Sequence, residues 1–501
     1  MKLTEVLAGI GAEQLSGSRA SLEVTGIAHD SRKVKPGDLF VAVPGATSDG
    51  ANFAAEAKEK GAVAVLVQRP VQVDGPVFQV PSARAALALV AATFYRKPAN
   101  ELMLLGVTGT NGKTTTTWLL DAICSAGGAA TGRIGTIDTR FAGRSLEPTH
   151  TTPDALALQA LFREMVDAGT DTVIMEVSSH ALDQDRVHGL TFRAAGFTNL
   201  SRDHLDYHPD METYFQAKRK LFSENLSPGG VAVVNGDDTY AARLYNEVRS
   251  SKRMAWKFSR TGGEISAAGV EYSLAGIKAT LKTPAGDIAI QSALVGPHNL
   301  ENILAAAGMA LGAGFSRQDV KEGLARMKGV PGRMERIESE GRVALVDYAH
   351  SDDALKRSLE AARTLARGRV VVVFGCGGDR DKGKRPLMGQ VAAENAELVV
   401  VTSDNPRTED PDEIIGQVTA GVEKAGLRRM SPGKAKSGER GYLVDADRRA
   451  AIELGASLLK EGDVMLVAGK GHEGYQMVGT EKRPFDDVAE ARAALAKAGA
   501  A

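Results

Sequence analysis

Cysteine is nearly missing from this 501-residue chain. The two present, Cys124 and Cys376, lie far apart and offer no disulfide framework, as expected for a reducing compartment. Excess charge is missing too: 61 Lys and Arg against 62 Asp and Glu leave a net charge of -1. That argues against a broad polyanion-binding face, so no nucleic acid is expected as a partner and any anion binding must be local. No apolar run approaches the ~20 residues that span a bilayer, so no membrane insertion is expected. Met1 to Glu5 lack the charged start and apolar core of a signal peptide, and a cytoplasmic protein is expected. Solenoid repeats and low-complexity tracts are also lacking. What remains is an ordinary soluble composition, 43% apolar and 25% charged, in a chain too long for one core.

One further absence is local. The segment Leu104-Leu105-Gly106-Val107-Thr108-Gly109-Thr110-Asn111-Gly112-Lys113-Thr114-Thr115 reads as a buried strand, a glycine loop and a helix start. Val107 stands where the first glycine of G-x-x-x-x-G-K-[ST] belongs, leaving G-x-x-G-K-T. The chemistry survives the defect. Gly109 and Gly112 let backbone N–H groups crowd an anion, and the helix N-terminus adds partial positive charge. Lys113 supplies a point charge for terminal phosphates and Thr114 a hydroxyl for magnesium, which makes this an expected ATP site.

Around that loop the chain divides into three. Residues 1–99 alternate short strands and helices, including a strand over 63–67 and a helix from 82 to 95 capped by Ser82, and end in a linker at Arg96 to Asn100. Residues 100–333 repeat strand and helix as a mostly parallel sheet requires. A strand over 172–177 carries Glu176 near its C-terminal end, placed to hold magnesium or to be satisfied by a neighbouring arginine. A strand over 196–200 runs into Ser201-Arg202-Asp203-His204-Leu205-Asp206-Tyr207-His208, dense enough for metal or phosphate work but equally a source of helix caps. Lys218-Arg219-Lys220 reads by default as a solvated basic face. Residues 334–501 show four strong strands, starting at Val343, Val370, Leu398 and Val464, each ending in a charged or glycine-rich loop. A helix opened by Asp410-Pro411-Asp412-Glu413 has an N-cap, an N1 proline and a capping-box acid. The expected fold class is α/β: a smaller N-terminal domain, a central P-loop-type ATPase domain and a C-terminal doubly wound, Rossmann-like domain.

The motifs, taken together and in order, resemble the Mur ligases, which build the peptide of bacterial peptidoglycan. Thr108 to Thr114, Glu176 to His180, Ser201 to His208, His298-Asn299-Leu300-Glu301-Asn302 and Asp347-Tyr348-Ala349-His350 carry the likeness, which covers the whole chain. Gly378 to Pro386 and Asp404-Asn405-Pro406-Arg407 place it nearest the members that add the third amino acid. One departure is that Ser351-Asp352-Asp353 replaces the family's Thr-Pro-Asp after His350.

The resemblance implies a reaction: ATP phosphorylates the D-Glu carboxylate of UDP-MurNAc-L-Ala-D-Glu, and an amine displaces the phosphate. It implies ATP and Mg2+ as cofactors, with Gly109, Thr110, Asn111, Gly112, Lys113, Thr114, Thr115, Asn302, Arg333 and Asp347 around the nucleotide. Lys113, Glu176, His204 and Lys218 would be catalytic, with Thr114, Glu176, His204 and a carbamylated Lys218 as metal ligands. The uridine end would meet His29, Ser31, Ala46, Thr47 and Ser48, and the peptide end Thr151, Thr152, Ser178, Gln184 and Arg186. Arg380, Asp404, Asn405, Pro406, Arg407, Gly469 and Glu473 would form the amino-acid pocket. A guanidinium fork at Arg407 suits the distal carboxylate of meso-diaminopimelate, whereas L-lysine offers it only an ammonium; otherwise Arg407 caps the Asp410 turn. A monomer is expected.

Overall fold

The computed structural model describes residues 1–17, 22–45 and 48–500, the last of these without its side chain. Ala46 and Thr47, expected at the uridine end, lie outside the described residues. Of five sheets among the described residues, the three largest each bury apolar side chains on both faces, which is why their central strands are continuous Val, Leu and Ile runs.

The first sheet has five strands within residues 13–79, parallel except at the Glu13–Ser16 edge. Helix Ala83–Phe94 packs on it, with Ser82 accepting from the Ala85 N–H as the cap pattern predicts. The residues expected as a linker form a short 3-10 turn, Pro98–Glu101, after Arg96 and Lys97, both at positive φ.

The second sheet has eight strands. Its centre runs Leu226–Asn235, Phe192–Phe197, Met103–Thr108, Thr172–Glu176, Thr131–Ile134, all parallel, with a two-hairpin extension at one edge. The strand expected at 196–200 lies at Phe192–Phe197 instead. Thr198 and Asn199 leave the ladder because their side chains bond the backbone of Asn111. Pro297 at the first helical position opens a helix through Ala313, so His298 to Asn302 form its first turns. This helix packs against helix Lys113–Ala126 over the largest core.

The third sheet has six strands in the order Glu335–Ser339, Arg342–Asp347, Val464–Ala468, Val370–Phe374, Leu398–Val401, Gly441–Val444. Only the first pairing is antiparallel. The two edge strands were not expected. In helix Pro411–Lys424 the Asp410 carboxylate accepts from the Asp412 N–H, and the reciprocal Glu413 bond of a capping box is not made. Among the described residues no helix is long and apolar enough to cross a membrane.

Candidate active site

Strand Met103–Thr108 lies in the interior of its sheet and delivers the glycine loop to the carboxyl edge, where open α/β sheets bind ligands. Gly109 has φ 139°, and a Cβ there would fall 1.9 Å from Thr198 Oγ1. Gly112 has φ 88°, and its Cβ would fall 2.3 Å from Asn302 Oδ1. Neither position admits a side chain, so the loop's surface is backbone N–H and the first turn of helix Lys113–Ala126, an anion cradle. The Lys113 ammonium donates to the Gly109 and Thr110 carbonyls at 3.0 and 2.9 Å. Burial pushes its pKa down, while Glu176 and Asp203 oppose the shift.

Glu176 faces Val107 across the parallel ladder, so the register alone sets its carboxylate beside the loop. It is 1% exposed, and its partner is Thr136, whose N–H and hydroxyl donate to the two oxygens at 2.9 and 3.0 Å. Among the described residues no arginine or lysine pairs with it, so its charge is free to meet a cation.

Lys218 does not lie on a solvated face. Helix Met211–Ser223 turns it inward to 1% exposure, while Arg219 bonds Glu247 and Lys220 reaches the Leu182 carbonyl. Its ammonium donates to the Gly109 carbonyl at 2.8 Å, the same oxygen that Lys113 uses, and sits 4.5 Å from the Tyr214 ring centre. Burial, reinforced by the Lys113 charge, holds its pKa well below that of an ordinary lysine. His204, at φ 54°, is pushed down to about 4, first by burial and then by Lys113 and Lys218 against the pull of Asp203. Its imidazole is therefore neutral at pH 7 and can offer a lone pair. The cap of this helix is Asp210, so His204, His208 and their neighbours are free of that duty.

These donors fit a hard divalent cation. Thr114 and Glu176 supply oxygen, and such an ion completes its shell with water and phosphate oxygens. Among the described residues no three His, Cys, Asp or Glu side chains converge, so a zinc-type cage is not built. Lys218 as an ammonium cannot ligate; as a carbamate it could.

The third domain closes over this wall. Arg333 crosses to Thr114, its guanidinium donating to the hydroxyl at 3.3 Å over the Tyr348 ring. Both Asp347 oxygens are taken up inside the protein, by the Met334 and Ala349 N–H groups and the Ser358 hydroxyl. Asp347 lines the cleft and also holds the backbone next to Arg333. Asn405 donates to Glu473 at 2.9 Å, and buried Lys470 donates to Asn405 at 2.8 Å. Gly469 bonds its N–H to the Asp347 carbonyl and packs on Asp404. Arg407, at φ 53°, donates to the Gly378 carbonyl at 2.7 Å and does not cap the Asp410 turn. Pro406 packs its carbonyl against Gly378.

A single cleft of about 1120 Å³ gathers the loop from Thr110 to Thr115 with Thr151, Thr152, Glu176, Ser178, Arg186, His204, Asn302, Arg333, Asp347, Arg380 and Glu473. Gln184 stands behind Arg186 and accepts from its guanidinium. Lys218, Asp404, Asn405, Pro406, Arg407 and Gly469 form supporting walls through the contacts above. His29, Ser31 and Ser48 are not brought into the cleft. His29 lies 3.6 Å from Asp154, while the Ser31 hydroxyl donates to Glu56 and Ser48 is exposed.

Comparison with known proteins decides the family. Residues 107–310 match the Mur ligase middle domain, residues 332–471 the Mur ligase glutamate ligase domain, and residues 23–102 the Mur ligase family catalytic domain. A protein of Geobacter metallireducens named UDP-N-acetylmuramoyl-L-alanyl-D-glutamate--2,6-diaminopimelate ligase is 44% identical over 99% of this chain and 98% of its own length. The chain belongs to the Mur ligase family. A Gloeobacter violaceus protein of the same name is 46% identical, with the same coverage of both chains. A solved structure of a ligase of that name is 36% identical, covers 94% of each chain and superposes with a TM-score of 0.69.

Within this Mur ligase cleft, sequence reading passed over several groups. Asp353 accepts from the Asn111 side chain at 2.9 Å and from Arg357 at 3.2 Å, and Arg357 continues to Glu301. Asn299 accepts from Asn302, fixing its amide. The Asn-x-x-Asn spacing in a helix was a usable signal for that pair, since i and i+3 share a face. Nothing in the sequence signals a bond between residues 111 and 353.

Proposed function

We propose that this chain joins meso-diaminopimelate to the D-glutamate side-chain carboxylate of UDP-MurNAc-L-Ala-D-Glu, with ATP converted to ADP and phosphate. It would do so with the divisions 1–99, 100–333 and 334–501 binding nucleotide sugar, ATP and amino acid respectively, as a monomer in the cytoplasm. The observation that carries this reading is the cleft itself: an anion cradle with Lys113 on one wall, and Arg380 with Glu473 on the facing one. A nucleotide switch has no use for the second, oppositely charged pair.

In this reading the cradle N–H groups and Lys113 hold the β- and γ-phosphates while a substrate carboxylate oxygen attacks the γ-phosphorus. The bond from phosphorus to ADP breaks as the new acyl phosphate forms. An amine nitrogen then attacks the acyl carbon, loses a proton, and phosphate leaves with its bonding electrons. Positioning and charge neutralisation account for most of the rate, because little covalent work falls to the protein. Magnesium, one ion held by Thr114 and Glu176 and a second by His204 and a carbamylated Lys218, would supply the neutralisation of phosphate charge. Arg333, at the junction of the second and third divisions, reaches Thr114 and would tie closure of the third division to occupation of the nucleotide wall. Arg407 would receive the distal carboxylate of the amino acid, and Glu473 its ammonium.

The test is phosphate release with the UDP-muramyl dipeptide and each of meso-diaminopimelate, L-lysine and L-glutamate. Release dependent on meso-diaminopimelate is expected. Amine-independent hydrolysis, or preference for either other amino acid, would overturn the proposal.

A further inference from the structure

A second cavity lies away from the cleft, further along helix Lys113–Ala126 towards its C-terminal end. It measures about 480 Å³, within the range of small-ligand pockets. Its floor is Arg133, which is buried and stacked 3.8 Å from the Trp118 ring centre. Asp121 and Asp138 neutralise that guanidinium from one side, but its Nε is buried without a hydrogen-bond partner. Phe141 and Met327 give apolar walls. Arg140 and Lys328 stand at the rim, and neither forms an ion pair or a side-chain hydrogen bond among the described residues.

The cavity thus combines an aromatic ring, apolar walls, an unsatisfied buried donor and two uncommitted cations. We propose that it is a regulatory binding site for a small phosphate monoester with a flat apolar body. The dianion would sit between Arg140 and Lys328, and the flat body would lie along Trp118 and Phe141. An Arg guanidinium or Lys ammonium unmatched by protein carboxylates is what such an anion requires.

Its walls run directly into the nucleotide site. Helix Lys113–Ala126 joins the cavity to the phosphate loop. The strand carrying Arg133 ends at Ile134, two residues before Thr136, which holds both oxygens of Glu176. The Met327–Gly329 wall leads within four residues to Arg333, which reaches Thr114. Occupation of the cavity and of the cradle therefore bias the same elements, and any such coupling is reciprocal. This coupling rests on the nucleotide reading above; binding in the cavity does not.

The probe is phenyl phosphate, titrated into the full chain carrying Trp256→Phe, so that Trp118 is the only tryptophan. A saturable change in Trp118 emission is expected, half-complete at about 1 mM for a ligand of this size. Saturating ADP should shift that midpoint twofold or more, and Arg140→Ala with Lys328→Ala should weaken binding about tenfold. Phenol or inorganic phosphate alone should produce little. Both substituted cations are exposed, so folding is not at risk. No saturable change, a change that survives the double substitution, or a midpoint indifferent to bound ADP overturns the proposal. Direct measurement of ADP binding separates that last result from failure of the nucleotide reading.

Discussion

At the scale of single residues, Lys218 and Arg407 carry the sharpest expectations. Lys218 is desolvated, shares a carbonyl with a second ammonium and is held well below an ordinary lysine pKa. A neutral amine fraction is what carbon dioxide needs to form a carbamate: the N–C bond forms, a proton leaves, and a donor-only group becomes an oxygen ligand. Lys218→Ala should be nearly inactive and partly rescued by a short carboxylate in the buffer, read by phosphate release. Full activity without rescue would remove Lys218 from the metal set. Arg407→Ala should raise the diaminopimelate KM roughly 30- to several-thousand-fold, from ~2–5 kcal/mol for truncating one partner of a buried charge pair. A KM within twofold of the parent enzyme would sink the pocket assignment. The burial of Lys218 overturns the solvated face expected for Lys218-Arg219-Lys220, although its signal was present: Tyr214, Phe215, Leu221 and Phe222 form an apolar stripe at helical spacing, and of the three basic residues Lys218 falls on it.

At the scale of elements, legibility followed burial. Strands Val370–Phe374 and Leu398–Val401 start at the residues expected, because a strand covered on both faces is an unbroken apolar run. Edge strands Glu335–Ser339 and Gly441–Val444 escaped because one alternates charged with buried positions and the other opens on glycine, which shortens its apolar run. The cofactor loop was legible as a glycine pattern, but the ends of the third sheet were not: their geometry is set by Arg448. That side chain is fully buried, bidentate to Asp487, and donates to the Ala468 and Ser403 carbonyls at 3.1 and 3.4 Å. It thereby fixes the two strand ends that present Gly469 and Asp404. Arg448→Ala should lower the unfolding free energy by about 3–5 kcal/mol, because it leaves Asp487 buried and uncompensated. Arg448→Met with Asp487→Leu should recover most of that loss, since both charges leave together. Urea unfolding of the two variants measures the difference; equal losses would show that packing, not charge, holds the strand ends.

At the scale of the whole molecule, the chemistry needs two walls drawn from chain segments some three hundred residues apart. The contacts that draw them together are few. Asn111 in the phosphate loop donates to Asp353, Arg202 pairs with Asp381 at 3.3 Å, and Arg357 donates to Glu301 at 3.2 Å. Arg202–Asp381 is half-exposed and contributes little. Asn111–Asp353 is different: it joins the loop that grips phosphate to the first turn of helix Asp352–Leu365, and Arg357 anchors the same carboxylate. The sequence departs from its family at this turn, with Ser351 in place of threonine and Asp352 in place of proline. The structure shows Ser351 as the helix N-cap, so the turn is held by a hydrogen bond and not by a ring. Asp353→Ala should therefore leave the fold intact but loosen closure. A hydrogen bond to a charged group is worth ~1.5–3 kcal/mol, so kcat/KM for ATP should fall roughly 10- to 150-fold. Scattering in the presence of ADP should report a larger radius of gyration than for the parent enzyme. An unchanged radius with an unchanged kcat/KM would mean that the two walls meet without this bond, leaving contacts such as Arg333–Thr114 and Arg357–Glu301 to couple them.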